Sequence, residues 1–230
     1  MRHILKVAAS LSLAAVFVLT VAKTAPANHP QHFTPPDILT ASDIPYPATT
    51  VAAGVVTLAV NLDATGQIMN VQTLRDIPTV TTQATLALQN WTYAPASLNG
   101  KPVPSTLIVN IVFDPAFLES NNIPLGPPDS FQPPNPKATS YTQPQLFTAT
   151  FPPYPANGLS SGAVVLDVTV SSQGKIAHVA TVRDVPTLTA SAAAALQNWS
   201  FSAAIYGNTP LASKVVVAMV FRNPATALPD

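Results

Sequence analysis

The chain has 230 residues with ten basic and ten acidic side chains, so its formal net charge is zero, and only 9% of its residues are charged. This balance gives no electrostatic reason to expect nucleic-acid binding. Cysteine is absent, which excludes disulfides, thiolate metal sites and a cysteine nucleophile.

The first 27 residues have the pattern of an export signal. Basic residues precede an apolar run over 7–22 that is short for a membrane span, and residues 25–27 read Ala-Pro-Ala. We therefore expect cleavage after Ala27. The alternative is an uncleaved anchor over residues 4–22 with its basic end in the cytoplasm. Both interpretations place the rest of the chain outside the cytoplasmic membrane.

One segment of about 70 residues occurs twice. The sequence Gln-Asn-Trp-Thr-Tyr at 89–93 returns about 108 residues later as Gln-Asn-Trp-Ser-Phe at 197–201. The correspondence runs without a gap from 45–113 to 153–221, with about 29 of 69 positions identical. The chain therefore divides into the signal (1–27), a Pro-containing lead-in (28–44), repeat 1 (45–115), a Pro-rich linker (116–152), repeat 2 (153–223) and a tail (224–230).

Hydrophobic periodicity predicts two strands at the start of each repeat. In repeat 1, apolar residues alternate over 56–62, a tight turn ends at Gly66, and a second strand covers 67–75. Gly174 ends the equivalent turn of repeat 2. Two apolar residues of the second strand lie three positions apart, which predicts a bulge. The pattern of strand, turn and strand indicates a hairpin.

A helix is predicted next, after Pro78, with Thr79 as its N-cap. Its apolar residues fall on one helical face, and Trp91 ends this stripe in repeat 1 as Trp199 does in repeat 2. We expect both Trp side chains to anchor the core, because a large aromatic side chain at the end of an apolar stripe is most often buried.

A third strand is predicted at 105–113 in repeat 1 and at 213–221 in repeat 2, each with apolar residues alternating on one face. We therefore expect an α+β fold with two tandem two-layer β-β-α-β domains. Each domain would have a three-stranded antiparallel sheet covered by one helix. The Pro-rich linker predicts that the two domains unfold separately.

The motifs, taken in order, resemble the TonB C-terminal domain family. The family pattern is Tyr-Pro, then Gly-x-Val-x-Val-x-Phe-x-Val-Asp-x-x-Gly, then Trp-x-aromatic-x-Pro-Ala and Gly-x-Pro-Val. Repeat 2 follows this pattern less closely than repeat 1 in the last two motifs. The residues that carry the resemblance are Tyr46, Pro47, Gly54, Gly66, Trp91, Gly100, Tyr154, Pro155, Gly162, Gly174 and Trp199.

The resemblance implies a periplasmic domain that binds proteins. The sequence has no Gly-rich phosphate loop, paired catalytic carboxylate or Ser/His/Asp set, and His29 and His32 have no acidic partner nearby, so we expect no catalytic residue, cofactor or metal. Such domains pair strands with a short segment of an outer-membrane transporter, so the implied partner is a TonB-dependent outer-membrane receptor. The resemblance also implies that the third strand lies at the edge of each sheet, where its free backbone groups accept a partner strand. The residues predicted at these edges are Ser105, Leu107, Val109, Ile111, Phe113, Ser213, Val215, Val217, Met219 and Phe221.

Three alternatives remain open at this point. The two edges could pair with each other or with a second copy of the chain. The protein could be a membrane-anchored energy transducer, although residues 1–22 lack the Ser-x-x-x-His pattern of energised family members and the lead-in is short. It could also be a structural or adaptor protein of the cell envelope. In every case contact with the membrane is expected only through an uncleaved N-terminal segment.

Overall fold

The computed structural model describes residues 32–115, 122–123, 125, 141–156 and 158–226. The predicted export signal and most of the predicted linker lie outside these residues. Among the described residues, no helix has the length and apolar character needed to cross a membrane.

The fold is α+β and consists mostly of strands. Repeat 1 and its lead-in contain β1 (Phe33–Thr34), β2 (Asp37–Thr40), β3 (Gly54–Leu62), β4 (Ile68–Arg75), α1 (Pro78–Leu88), β5 (Thr92–Ala94), β6 (Ala96–Leu98), β7 (Lys101–Val103) and β8 (Ser105–Asp114). Repeat 2 and the residues before it contain β9 (Tyr141–Thr142), β10 (Leu146–Thr148), β11 (Gly162–Val170), β12 (Ile176–Arg183), α2 (Thr189–Ala195), β13 (Ser200–Phe201), β14 (Ala204–Tyr206), β15 (Thr209–Leu211) and β16 (Ser213–Phe221).

The predicted tight turn joins β3 to β4. The Gly66 N–H donates to the carbonyl oxygen of Asp63 over 3.2 Å, and Asp63 Oδ1 accepts from the N–H of Thr65 at 2.7 Å. The hydrogen bond from the Thr65 hydroxyl, together with backbone donors, lowers the pKa of the Asp63 carboxyl. Gly66 has φ +86°, and a Cβ there would lie 2.4 Å from the carbonyl oxygen of Tyr93, so glycine is required.

The predicted bulge is confirmed, and it occurs twice. The pairing of β3 with β4 changes register at two places, which leaves Met69 and Leu74 as the extra residues of β4. The short stretch of β4 between these two residues pairs regularly with β3.

The helix of repeat 1 begins differently from the prediction. Ile77 is the N-cap of α1 and Pro78 is its first residue. The Thr81 hydroxyl accepts from the Ile77 N–H and donates to the Ile77 carbonyl oxygen, both over 3.0 Å. The predicted cap at Thr79 is therefore wrong. Proline is tolerated at the first helical position because its missing N–H would have no partner there.

The two repeats share one sheet. Its six strands lie in the order β12-β11-β16-β8-β3-β4. Pairing is antiparallel within each repeat, whereas β8 and β16 are parallel to each other. The expectation of two separate three-stranded sheets is corrected here, because the third strands of the repeats pair with each other.

The parallel pair at the centre is offset by one residue. Val109 pairs with Val216 rather than with its own counterpart, Val217. Val109 lies in the core on the α1 side of the sheet, and Val217 lies in the core on the α2 side. Residues that pair across a sheet point to the same face. Equivalent residues that point to opposite faces therefore cannot pair directly.

The helices cover opposite faces of the sheet, which gives three layers. Trp91 belongs to one core and Trp199 to the other. The α1 side includes Val56, Leu58, Val60, Leu62, Val80, Ala84, Leu88, Leu107, Val109, Ile111, Phe113, Val165, Val216, Ala218 and Val220. The α2 side includes Val55, Ala59, Ile108, Val112, Val164, Leu166, Val168, Val170, Leu188, Ala192, Leu196, Val215, Val217, Met219 and Phe221. Each core therefore contains strand residues from both repeats.

The residues before each repeat belong to the fold. The indole N–H of Trp91 donates to the carbonyl oxygen of Ser42 over 3.2 Å, and that of Trp199 donates to the carbonyl oxygen of Thr150 over 3.1 Å. In both repeats the two short strands before the hairpin pair with strands that follow the helix. The repeat therefore extends back to Phe33 and its counterpart about 108 residues later.

The two lead-ins meet near Phe33. The centroid of its ring lies 4.6 Å from that of Tyr141 and 5.2 Å from that of Tyr206. Ile38 and Ile44 of the first lead-in share a core with strand residues of repeat 2. Each repeat is therefore packed against the other by its lead-in as well as by its third strand.

Candidate partner-binding edge of the sheet

The third strands do not form free edges. β8 pairs with β3 on one side and β16 on the other, and β16 pairs with β11 and β8. Nine of the ten predicted edge residues are buried, and Ser105 is half-buried. This corrects the predicted placement of Ser105, Leu107, Val109, Ile111, Phe113, Ser213, Val215, Val217, Met219 and Phe221: they lie at the centre of the sheet.

Lys214, the one charged residue of β16, is engaged in ion pairs. Its Nζ lies 2.5 Å from Asp37 Oδ2 and 2.7 Å from Asp167 Oδ2. Burial raises the pKa of the Asp167 carboxyl, although the hydrogen bond from Lys214 opposes this. Burial lowers the pKa of the Lys214 ammonium, but the two carboxylates outweigh it and the net shift is upward. Asp167 Oδ1 is buried and has no hydrogen-bond partner among the residues that the structure describes.

The outer edges of the sheet are the second strands, β4 and β12. Within the described residues, no further strand pairs with either of them in this sheet. The end of β4 is held by Arg75, whose Nε donates to the carbonyl oxygen of Leu125 over 2.8 Å. The end of β12 is held by Arg183, which lies 3.2 Å from the Asp43 carboxylate. The arginine at the end of each second strand therefore fastens it to another segment of the chain.

A groove runs beside β4, between this strand and the end of α1. Its volume is about 750 Å³, within the usual range of ligand pockets. It is lined by Gly66, Gln67, Ile68, Met69, Asn70, Val71, Thr85, Gln89, Asn90, Trp91, Thr92 and Tyr93. None of these lining residues carries a charge.

Buried aromatic residues fix the inner wall of this groove. The Tyr93 hydroxyl donates to the carbonyl oxygen of Leu88 over 3.1 Å, and burial raises the pKa of this phenol. Trp91 is 4% exposed and is held by its indole N–H. In contrast, the exposed amides of Gln67 and Gln89 make no side-chain hydrogen bond with the described residues.

The tyrosine that opens each repeat uses its hydroxyl to bond to the backbone a few residues further on. The Tyr46 ring packs edge-on against Phe113 with centroids 5.6 Å apart, and the Arg222 guanidinium lies 5.8 Å from the same ring. The Tyr46 hydroxyl donates to the carbonyl oxygen of Ala52. The Tyr154 hydroxyl donates to that of Ser160 over 2.7 Å. Both tyrosines thereby close the loop that precedes the first strand of their repeat.

The described part of the chain contains no group of three or more histidine and acidic side chains placed to hold a metal ion. His32 and His178 are exposed, and His29 lies outside the described residues. The groove beside β4 was not found from the sequence. The sequence feature that points to it is a difference between the repeats: residues 67–70 are Gln-Ile-Met-Asn, whereas residues 175–178 are Lys-Ile-Ala-His.

The fold joins two copies of one repeat through a single sheet whose outer strands are β4 and β12. The sequence matches the family described as Gram-negative bacterial TonB protein C-terminal over residues 46–115 and 149–222. The matched residues are more than half of the chain, and the chain belongs to this family. It is a family of protein-interaction domains of the Gram-negative envelope, so this is a TonB-related envelope protein. Neither the curated proteins nor the solved structures gave a match.

Proposed function

We propose that this chain is an exported periplasmic protein that binds protein partners by strand addition at β4. The partner is a segment of a TonB-dependent outer-membrane receptor. The observation that carries the proposal is the pairing of β8 with β16, which occupies both third strands. β4 is an outer strand of the sheet, and a groove lies beside it.

An outer strand is suited to this role because half of its backbone N–H and C=O groups have no partner in the sheet. An extended peptide satisfies these groups by adding a strand, and neighbouring pockets give side-chain specificity. β4 has no proline, and its first seven residues, 68–74, are uncharged. It therefore lacks two of the features that commonly prevent strand addition at an edge.

The proposal is tested by locking the central pair of strands. The chain has no cysteine, so Val109→Cys with Val216→Cys introduces a single possible disulfide. Neighbouring strands lie about 4.8 Å apart, which is within the range of Cα separations that a disulfide spans. The probes are synthetic peptides from the periplasmic amino-terminal segments of the outer-membrane receptors of the same bacterium. The controls are the same protein reduced and the single variant Val109→Cys.

We expect at least one receptor peptide to bind, with an affinity that changes by less than roughly threefold between the oxidised and reduced forms. Loss of binding in the oxidised form alone would show that the partner displaces β8 from β16. If no receptor peptide binds either form, receptor binding by this chain is wrong.

A further inference from the structure

We propose that the folded chain docks on a zwitterionic phospholipid surface through two aliphatic loop tips, Val51 and Leu159. This inference goes beyond the proposed function and does not depend on strand addition at β4. The sequence alone indicated membrane contact only through the N-terminal segment, whereas these two tips belong to the folded repeats.

The two tips are exposed although their side chains are aliphatic. Val51 is 55% exposed and Leu159 is 81% exposed. They occupy equivalent positions, about 108 residues apart, in repeats that differ at more than half of their aligned positions. The repeats therefore share apolar character here and not side-chain shape. A fluid hydrocarbon phase accepts either side chain because the hydrophobic effect is non-directional, whereas a packed protein pocket distinguishes their shapes.

The strand pairing places both tips at one end of the sheet. Each tip lies in the loop before the first strand of its repeat, at 47–53 and 155–161. The first residue of β3 pairs with Phe113 near the end of β8, and the first residue of β11 pairs with Phe221 at the end of β16. Because β8 and β16 are parallel, their ends coincide. One flat surface can therefore contact both tips at once.

The backbone beside each tip is satisfied within the protein. Arg222 Nη1 donates to the carbonyl oxygen of Thr50 over 3.0 Å, and the adjacent Asn223 Nδ2 donates to that of Leu159 over 2.8 Å. The tyrosine that opens each repeat donates to the carbonyl oxygen of the residue after the tip. A carbonyl group without a donor is costly in the apolar part of a bilayer. These loops can therefore leave water without breaking these hydrogen bonds.

The charges at this end do not favour an anionic surface. The two loops contain no acidic or basic side chain. Three arginines lie at this end, and each is half-buried and donates to a backbone carbonyl oxygen of the chain: Arg75, Arg183 and Arg222. In contrast, Asp43, Asp76 and Asp184 are exposed. Anionic lipid attracts exposed basic groups, so this end fits a zwitterionic surface better.

The described residues contain a second pair of exposed apolar side chains at equivalent positions. Leu39 is 59% exposed and Phe147 is 58% exposed. They lie on β2 and β10, which pair with β5 and β13. β5 and β13 in turn lie against the hairpin turns at Gly66 and Gly174, at the other end of the sheet from the tips. This second pair therefore provides a matched control.

The experiment uses the full chain and vesicles of phosphatidylcholine and phosphatidylethanolamine. The chain has no cysteine, so Ala48→Cys gives one labelling site in the first loop, and Gln173→Cys gives one in the turn between β11 and β12. An environment-sensitive fluorophore is attached at either site, and its quenching by spin-labelled phospholipid reports contact with the bilayer. This readout is local, so it separates contact at the tips from insertion of the predicted export signal.

The tip variant is Val51→Asp with Leu159→Asp, made in the Ala48→Cys protein. The matched control is Leu39→Asp with Phe147→Asp, which places the same two charges at exposed positions of the same two repeats. Val51→Ser with Leu159→Ser is a milder tip variant, and it decides the outcome if the aspartate variant does not fold. Circular dichroism checks the fold of each variant.

We expect quenching of the label in the first loop and none of the label in the β11–β12 turn. The tip variant should reduce the quenching at least about tenfold, the serine variant should reduce it less, and the control variant should leave it unchanged. Raised salt should not weaken the contact, and added phosphatidylglycerol should not strengthen it, since no exposed basic group takes part.

Equal quenching of both labels, unchanged quenching in the folded tip variants, or a requirement for anionic lipid would overturn the inference. Absence of quenching in the first loop would also overturn it. In that case, weaker binding of receptor peptides by the tip variant would assign the tips to a protein partner.

Discussion

Lys214 Nζ lies 2.5 Å from Asp37 Oδ2, which joins the third strand of repeat 2 to the lead-in of repeat 1. The same ammonium also reaches Asp167, whose side chain is only 10% exposed. One ammonium group therefore bridges two carboxylates, one from the lead-in of repeat 1 and one from repeat 2. This arrangement has no counterpart in repeat 1, where Thr106 and Ala59 occupy the positions of Lys214 and Asp167.

Replacing Lys214 by threonine should lower the free energy of unfolding by about 2 kcal/mol. The cause is the charge of Asp167, which would remain buried without a cation, and partial exposure keeps the loss below that of a fully buried pair. Urea denaturation measures the loss. The control is Asp167→Ala with Lys214→Thr, which restores the pair found in repeat 1 and should be more stable than Lys214→Thr alone. Simple additivity of the two single substitutions would show that the groups are not coupled.

The two repeats should unfold in one transition, since each core contains residues of both. Each repeat has one tryptophan, so Trp91→Phe leaves a reporter in repeat 2 and Trp199→Phe leaves one in repeat 1. In each variant, urea unfolding followed by tryptophan fluorescence should give the same midpoint and the same denaturant dependence as unfolding followed by circular dichroism. Two separated midpoints within one variant would favour independent domains.

Stability should fall as the pH rises above 10. Burial raises the pKa of Tyr141 to about 12, although its hydrogen bond with Ser213 opposes this, and burial also raises that of Tyr46 to about 12. The pKa of tyrosine in the unfolded chain is about 10. At pH values between this pKa and the folded-state pKa, the folded protein binds more protons than the unfolded chain. The free energy of unfolding therefore falls as the pH rises through this range. Urea midpoints at several alkaline pH values measure the slope. It should be shallower in Tyr141→Phe, and an unchanged slope would contradict this assignment.

The elements within one repeat could be predicted because they depend on local signals. Alternating apolar residues mark β3, Gly66 marks a turn with positive φ, and the stripe ending at Trp91 marks the buried face of α1. The arrangement of the repeats could not be predicted in the same way. Periodicity shows which residues are buried, but it does not show whether a third strand is covered by a partner or by the other repeat.

Two signals for the joined sheet were nevertheless present in the sequence. β16 is apolar on both faces after Lys214, and β8 has Ile108 and Val112 on its second face, which is typical of a strand inside a sheet with two covered faces. The correspondence between repeats also continues back to 33 and 141, and the rings of Phe33 and Tyr141 contact each other at a tilt. The groove beside β4 depends on positions where the repeats differ, so a search for repeated motifs passes over it.

The one-residue offset between β8 and β16 has a consequence for assembly. Consider two identical single-repeat chains whose third strands paired with the same one-residue offset. Either chain's strand could be the one shifted forward by a residue, and the two arrangements would have equal energy. Such a dimer would be degenerate. Here the repeats have diverged, and buried Asn110 has Ala218 as its counterpart. Fusion into one chain with unequal side chains at its centre removes this degeneracy and defines a single register.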